Sequence, residues 1–172
     1  IMKAGFKTLI YTRTASRAQE LIEQGALWKD TVAELAAEAD VIITMVGYPK
    51  DVEEIYLDEN GILANAKPGT YVIDMTTSSP LLAQKIYTDA KAYGIHSIDA
   101  PVSGGDIGAR NAQLSIMCGG DQSVFYAVLP ILQTMGKNII LQGAAGAGQH
   151  TKMCNQIAVA TNMIGVCEAM IY

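Results

Sequence analysis

Lys152 stands in the run Gly146-Ala147-Gly148-Gln149-His150-Thr151-Lys152-Met153-Cys154-Asn155-Gln156, where glycines release the chain just before a helical pattern begins. The spacing predicts Lys152 in the first turn of that helix, with Asn155 and Gln156 three and four residues on and able to share its face. An ammonium near a helix N-terminus meets an unfavourable dipole that lowers its pKa. Such a group suits chemistry in which one proton is given and taken back. An amide beside it orients a substrate without adding charge. The competing reading is a surface lysine lying along an apolar helix.

A second run, Asp99-Ala100-Pro101-Val102-Ser103-Gly104-Gly105, is followed by Gly108-Ala109 and by Leu114-Ser115-Ile116-Met117-Cys118-Gly119-Gly120. Adjacent glycines after a serine let backbone N–H groups approach an anion, and the hydroxyl adds a donor. A small carboxylate is the natural guest of Ser103, Gly104 and Gly105; a plain glycine-rich turn is the alternative.

The elements that must hold these residues alternate along the chain. Strand-like runs are read at Lys7–Tyr11, Val41–Val46, Tyr71–Met75, His96–Ala100, Leu114–Cys118 and Asn138–Leu141. Val41–Val46, interrupted only by Thr44, is apolar enough for burial on both faces. Helices are expected at Ser16–Gln24 with a capping serine, Thr31–Ala39 capped by Asp30, Asp51–Tyr56, Pro80–Tyr93 and Gln122–Thr134. The first residues read as a helix ending at Gly5, and Gly61–Ala64 as part of a turn-rich link. After Gly143–Gly148, Thr151–Tyr172 reads as one long helix. Helices between short strands predict an α/β fold with a doubly wound, mostly parallel sheet, and a boundary near Gly143 divides it (1–142) from a linker and helix (143–172).

Open sheets of this kind bind ligands beyond the carboxyl ends of their strands. In a dinucleotide fold the end of the second strand meets the adenine ribose; an acidic residue there selects NAD and an arginine accommodates the 2′-phosphate of NADP. This chain has Thr12-Arg13-Thr14 at that place and no carboxylate, so NADP is favoured over NAD.

The 172 residues carry a net charge of −5, are half hydrophobic and have a mean hydropathy of +0.21. No cluster of basic residues supports nucleic-acid binding, and no apolar run approaches a membrane span. Three cysteines without CxxC spacing fit a reducing cytoplasm, and two histidines leave little material for a metal site, so none is expected. The chain starts at Ile1 and stops inside a helical pattern, which reads as a piece cut at both ends.

The runs DMTTSSP, DAPVSGG…GA…LSIMCGG and GAGQHTKMCNQ, in this order, resemble the β-hydroxyacid dehydrogenase family, which includes 3-hydroxyisobutyrate dehydrogenase, tartronate semialdehyde reductase and, more distantly, 6-phosphogluconate dehydrogenase. The resemblance covers essentially the whole chain. It implies a Rossmann-like nucleotide domain, its first strand and Gly-rich loop preceding Ile1, and a long helix leading to an all-helical domain after Tyr172. It implies Lys152 as the catalytic lysine, with Asn155 or Gln156 as the accompanying amide, and Ser103, Gly104 and Gly105 holding the substrate carboxylate. Thr77 would lie beside the nicotinamide, the Val46-Gly47 loop over the cofactor, and Thr12, Arg13 and Thr14 at the 2′-phosphate. A homodimer or homotetramer is implied for the intact protein. Three departures stand out: Asn155-Gln156 in place of two asparagines, Val46-Gly47 in place of Leu-Pro, and Ala112 where glycine is common. A non-catalytic module that keeps the fold as a binding surface is the alternative function. Imine reduction on a related scaffold is disfavoured because it usually replaces the lysine.

Overall fold

Along Tyr71–Asp74 the two-residue period of a strand sends Val72 to one face and Ile73 to the other, and both are fully buried. A sheet with such a strand at its centre must be covered by helices on both sides. The computed structural model, which describes residues 1–172, has this arrangement.

The elements in order are β1 (Leu9–Ile10), α1 (Gln19–Glu23), β2 (Leu27–Trp28), α2 (Val32–Glu38), β3 (Val41–Thr44), α3 (Pro49–Leu57), α4 (Ile62–Asn65) and β4 (Tyr71–Asp74). They continue with α5 (Pro80–Ala92), β5 (His96–Asp99), β6 (Val102–Ser103), α6 (Gly105–Arg110), β7 (Leu114–Gly120), α7 (Gln122–Leu132), β8 (Gly136–Gly143) and α8 (Ala147–Ile171). Strands β3, β4 and β5 are parallel neighbours. Strand β7 runs antiparallel to β5 and to β6, which lie end to end along one of its edges, and β8 is parallel to β7 on the other. Strands β1 and β2 form a separate parallel pair with no ladder to the main sheet. The fold is a Rossmann-like, mostly parallel α/β sheet with a long C-terminal helix.

Two cores follow from the alternation. Ile73, Ile98 and Ile116 pack with Val124, Phe125, Val128 and Leu132 of α7, whose spacing forms one helical stripe. Ile42 and Val72 pack on the opposite face with Val52 and Tyr56 of α3 and with Ile86 and Ala90 of α5. Val41 and Ile43 border the first core while Ile42 lies in the second, so both faces of β3 are covered, Ile42 fully and its neighbours in part.

Several expectations are corrected. The helix expected from Ser16 begins as a 3₁₀ turn, Ala15–Ala18, and Thr14 rather than Ser16 precedes it. Thr31, not Asp30, caps α2: its hydroxyl accepts from Glu34 N at 3.1 Å, while the Glu34 carboxylate accepts from Asp30 N at 3.1 Å. This reciprocal bonding satisfies two free amides at once and outweighs a lone aspartate. The link that begins at Gly61 contains the short helix α4, held by burial of Ile62 and Leu63. The glycine-rich stretch after Ser103 folds into α6, and α8 begins four residues before Thr151. No helix is long and apolar enough to cross a membrane.

Candidate active site

The first amides of any helix lack intrahelical acceptors, and at α8 no side chain of its own cap supplies them. Asp99, at the end of β5, supplies them from outside: Oδ1 accepts from Gly146 N at 2.7 Å and Oδ2 from Gln149 N at 2.9 Å. Burial raises the Asp99 pKa, and these backbone donors act against that rise. Gln149 has no exposed surface; its Oε1 accepts from Ser78 N at 2.8 Å and its Nε2 donates to Thr76 O at 2.7 Å. The first turn of α8 is thereby pinned to the ends of β4 and β5. Neither Gln149 nor the Asp99 contact was singled out in the sequence, although a glutamine inside a glycine-rich helix start was a readable signal.

Three residues after Gln149, Lys152 is buried at 7% exposure, and its Nζ donates to Ser103 Oγ at 3.0 Å. Lys152 is the sixth residue of α8, which places it in the second turn and not the first. Its pKa is lowered by desolvation on burial. Lys152 forms no ion pair with any carboxylate. A buried ammonium whose protein partner is a hydroxyl leaves a positive site for an anionic guest.

That site opens on a cavity of about 600 Å³. Lys152, Asn155 and Gln156 line it from α8; Ser103, Gly104 and Gly105 line it from the β6–α6 turn. Asn155 Nδ2 donates to Gln156 Oε1 at 3.0 Å, so the two amides form one unit at the cavity wall. Met45, Asp106 and Val159 also line the wall and are not anticipated there; Val102, Ala109 and Leu114 complete it. Gly104 has φ +133°, a conformation that favours glycine, and a Cβ on it would come within 3.2 Å of Leu114 Cδ2, which would have to shift. Ala112, the position where glycine is common, has φ +54°, the left-handed region that glycine adopts without strain.

The other anticipated residues lie outside this cavity. Thr77 is exposed in the loop after β4. Val46 N donates to Thr76 Oγ1 at 3.0 Å, which ties the Val46-Gly47 loop to the loop bearing Thr77. Thr12, Arg13 and Thr14 follow β1, and Arg13 Nη1 reaches Asp51 Oδ1 at 3.5 Å, bringing that loop to the start of α3. A Cβ on Gly47 would lie 3.1 Å from Asp51 Oδ2, so glycine keeps the backbone thin there. A thin exposed loop, an exposed threonine and a guanidinium that is 78% exposed fit an extended dinucleotide crossing the strand ends.

Beneath the loops, Asp74 Oδ1 accepts from Thr44 Oγ1 at 3.0 Å and from Thr76 N at 3.1 Å, and Tyr56 Oη lies 2.9 Å from Thr44 Oγ1. Burial pushes the Asp74 carboxyl up to about 6. Because this folded value lies above the unfolded one, near 3.9, the neutral form favours folding. Its contribution is complete below about pH 4 and is lost as pH rises through 6. Asp74→Asn keeps the Oδ1 acceptor and cannot ionise. It is expected to melt about 5 °C above the unsubstituted chain at pH 7.5, a gain of about 2 kcal/mol, with the difference shrinking below pH 6 and closing below about pH 4. Parallel melting curves across that range check it.

A family model described as the NAD binding domain of 6-phosphogluconate dehydrogenase matches residues 1–143. The chain is 60% identical over its whole length to an oxidoreductase of Bacillus subtilis (strain 168), named YkwC, and spans 60% of that relative. It is 41% identical to 2-hydroxy-3-oxopropionate reductase of Escherichia coli (strain K12) over 155 residues, covering 90% of this chain and 53% of the relative. Among solved structures, 3-hydroxyisobutyrate dehydrogenase of Mycobacterium tuberculosis with L-serine superposes with a TM-score of 0.91 at 38% identity, over 98% of this chain and 57% of that one. The chain thus spans little more than half the length of these relatives.

Proposed function

The chain belongs to the family of the NAD binding domain of 6-phosphogluconate dehydrogenase, and from that membership we infer that it is the nucleotide-binding part of an NADP-preferring oxidoreductase acting on a short β-hydroxy acid or the matching semialdehyde. In this reading residues 1–142 hold the nucleotide, and residues 143–172 lead into a helical substrate domain. The observation that carries it is the buried Lys152, without a carboxylate partner and 3.0 Å from Ser103 Oγ, at the wall of a cavity. The relatives named for 2-hydroxy-3-oxopropionate and 3-hydroxyisobutyrate support the substrate class, since both are small carboxylates.

A bound nicotinamide supplies or accepts the hydride. The protein's own part is to hold the substrate and move a proton. Ser103 and the backbone around Gly104 and Gly105 orient the carboxylate. Lys152 Nζ, charged, gives a proton to the carbonyl oxygen as the alcohol forms; in the reverse direction the neutral amine takes it back. Burial lowers the lysine pKa, which makes the neutral amine easier to reach and serves both directions. The Asn155–Gln156 unit orients the oxygen-bearing carbon without adding charge. On α8, Val159, Met163, Val166 and Met170 are between 45% and 83% exposed. An apolar stripe of that length supports burial against the helical domain or a second subunit in a homo-oligomer.

Steady-state reduction of a panel of three- and four-carbon semialdehydes by the intact protein with NADPH tests the reading, with no turnover on any of them as the result against it. For the nucleotide, Arg13→Glu is expected to raise the NADP dissociation constant by at least about tenfold and to leave that of NAD unchanged. Equal losses for both would remove Arg13 as the selector.

A further inference from the structure

The loop after β1 contains no carboxylate, yet the folded chain brings one to it. Asp51 is the third residue of α3, and its side chain is only 22% exposed. Its Oδ2 accepts from Tyr48 N at 3.0 Å, which fixes the carboxylate at the helix start. Its Oδ1 then lies 3.5 Å from Arg13 Nη1. The arginine, at 78% exposure, is held loosely; exposed pairs of this kind contribute little stability and exchange partners readily. Two opposite charges therefore sit side by side, the negative one fixed and the positive one free to turn.

We propose that Asp51 is a specificity-determining residue that counterweights Arg13, so that the nucleotide site accepts NAD as well as NADP. The inference rests on the reading that Arg13 lies at the adenine ribose. A 2′-phosphate drawn to the guanidinium also meets the negative charge of Asp51, which opposes it. A free 2′-hydroxyl instead finds a carboxylate oxygen able to accept its proton in a hydrogen bond. This is the role usually filled by an acid at the end of the second strand. Here it is supplied from α3, and the arginine keeps the strand-end position.

The test measures dissociation constants of NADP⁺ and NAD⁺ for the intact protein by titration calorimetry, without substrate, in the unsubstituted form, Asp51→Asn, Arg13→Ala and the double variant. Asparagine keeps an oxygen acceptor for the Tyr48 amide. Should Asp51→Asn melt early, Asp51→Ser, which retains a hydroxyl oxygen, takes its place. Asp51→Asn is expected to shift the affinity ratio about tenfold toward NADP⁺, with tighter NADP⁺ and weaker NAD⁺, and Arg13→Ala to shift it the other way. If Arg13→Ala shifts the ratio while Asp51→Asn leaves it unchanged or weakens both nucleotides alike, Asp51 is only a helix cap and the inference fails alone. If Arg13→Ala leaves the ratio unchanged, the placement of Arg13 at the ribose fails and takes the inference with it.

Discussion

Replacing Lys152 with alanine is expected to lower turnover of the intact protein by about a thousandfold while leaving the dissociation constant of the nucleotide within about twofold of its starting value. General acid–base catalysis by a positioned group contributes about 10²–10⁴ in rate. Lys152 is the cation at this cavity, while Arg13, proposed to meet the nucleotide, lies outside the lining. On the proposed function, the change removes the proton donor and the positive partner of the carboxylate together, so both turnover and substrate affinity are expected to fall. Lysine to arginine separates the two effects. Guanidinium keeps the charge but does not release its proton at working pH, so substrate binding is retained and turnover stays low. The pH profile offers an independent readout: the limb assigned to the lysine lies below the ordinary lysine range in the unsubstituted protein, because burial disfavours the ammonium, and disappears in both variants. Turnover within tenfold of the original in the alanine variant would exclude Lys152 as the acid and base.

The second large effect is structural. A Cβ on Gly148 would stand 2.3 Å from Met117 O, 2.8 Å from Asp99 Oδ2 and 2.9 Å from Asp99 O. Two of these atoms are backbone in the main sheet and the third is the carboxylate that receives the helix amides, so none can yield without breaking a ladder or a cap. Gly148→Ala must lift the start of α8 off β7. A loss of about 3 kcal/mol or more follows, which in a chain of this size lowers the melting temperature by about 10 °C. Because α8 carries Lys152, the same shift pulls Nζ from Ser103 and removes the site in molecules that stay folded. Gly165, further along the same helix, has nothing within 4 Å of its would-be Cβ. Gly165→Ala serves as the control and is expected to hold or raise the melting temperature. Equal destabilisation by the two substitutions would show that the close approach at Gly148 is not the cause.

Much of this architecture is legible in the amino-acid sequence. Strands such as Tyr71–Asp74 and His96–Asp99, and helices such as Pro80–Ala92, declare themselves through local periodicity and through proline or glycine at their ends. The grouping of Ser103, Gly104 and Gly105 with Lys152, Asn155 and Gln156 was likewise indicated by three ordered motifs, and all six line one cavity. What escaped was short or held from a distance. Helix α4 has four residues and exists because Ile62 and Leu63 are buried. Helix α6 lies in a glycine-rich stretch whose propensity favours a turn, and β6 has two residues paired only through β7.

By itself the amino-acid sequence determined the alternation of strand and helix, the doubly wound class and the residue types able to hold a carboxylate and move a proton, because each depends on neighbours within a few positions. Tertiary structure alone decided that Asp99 caps α8 from 47 residues away, that Gln149 locks it to the loop after β4, and that Asp51 reaches Arg13. It also decided that the lysine is buried, which lowers its pKa. Hydrogen bonds and desolvation act over a few ångströms of space whatever the separation along the chain, so they come into being only when the sheet brings those strand ends together.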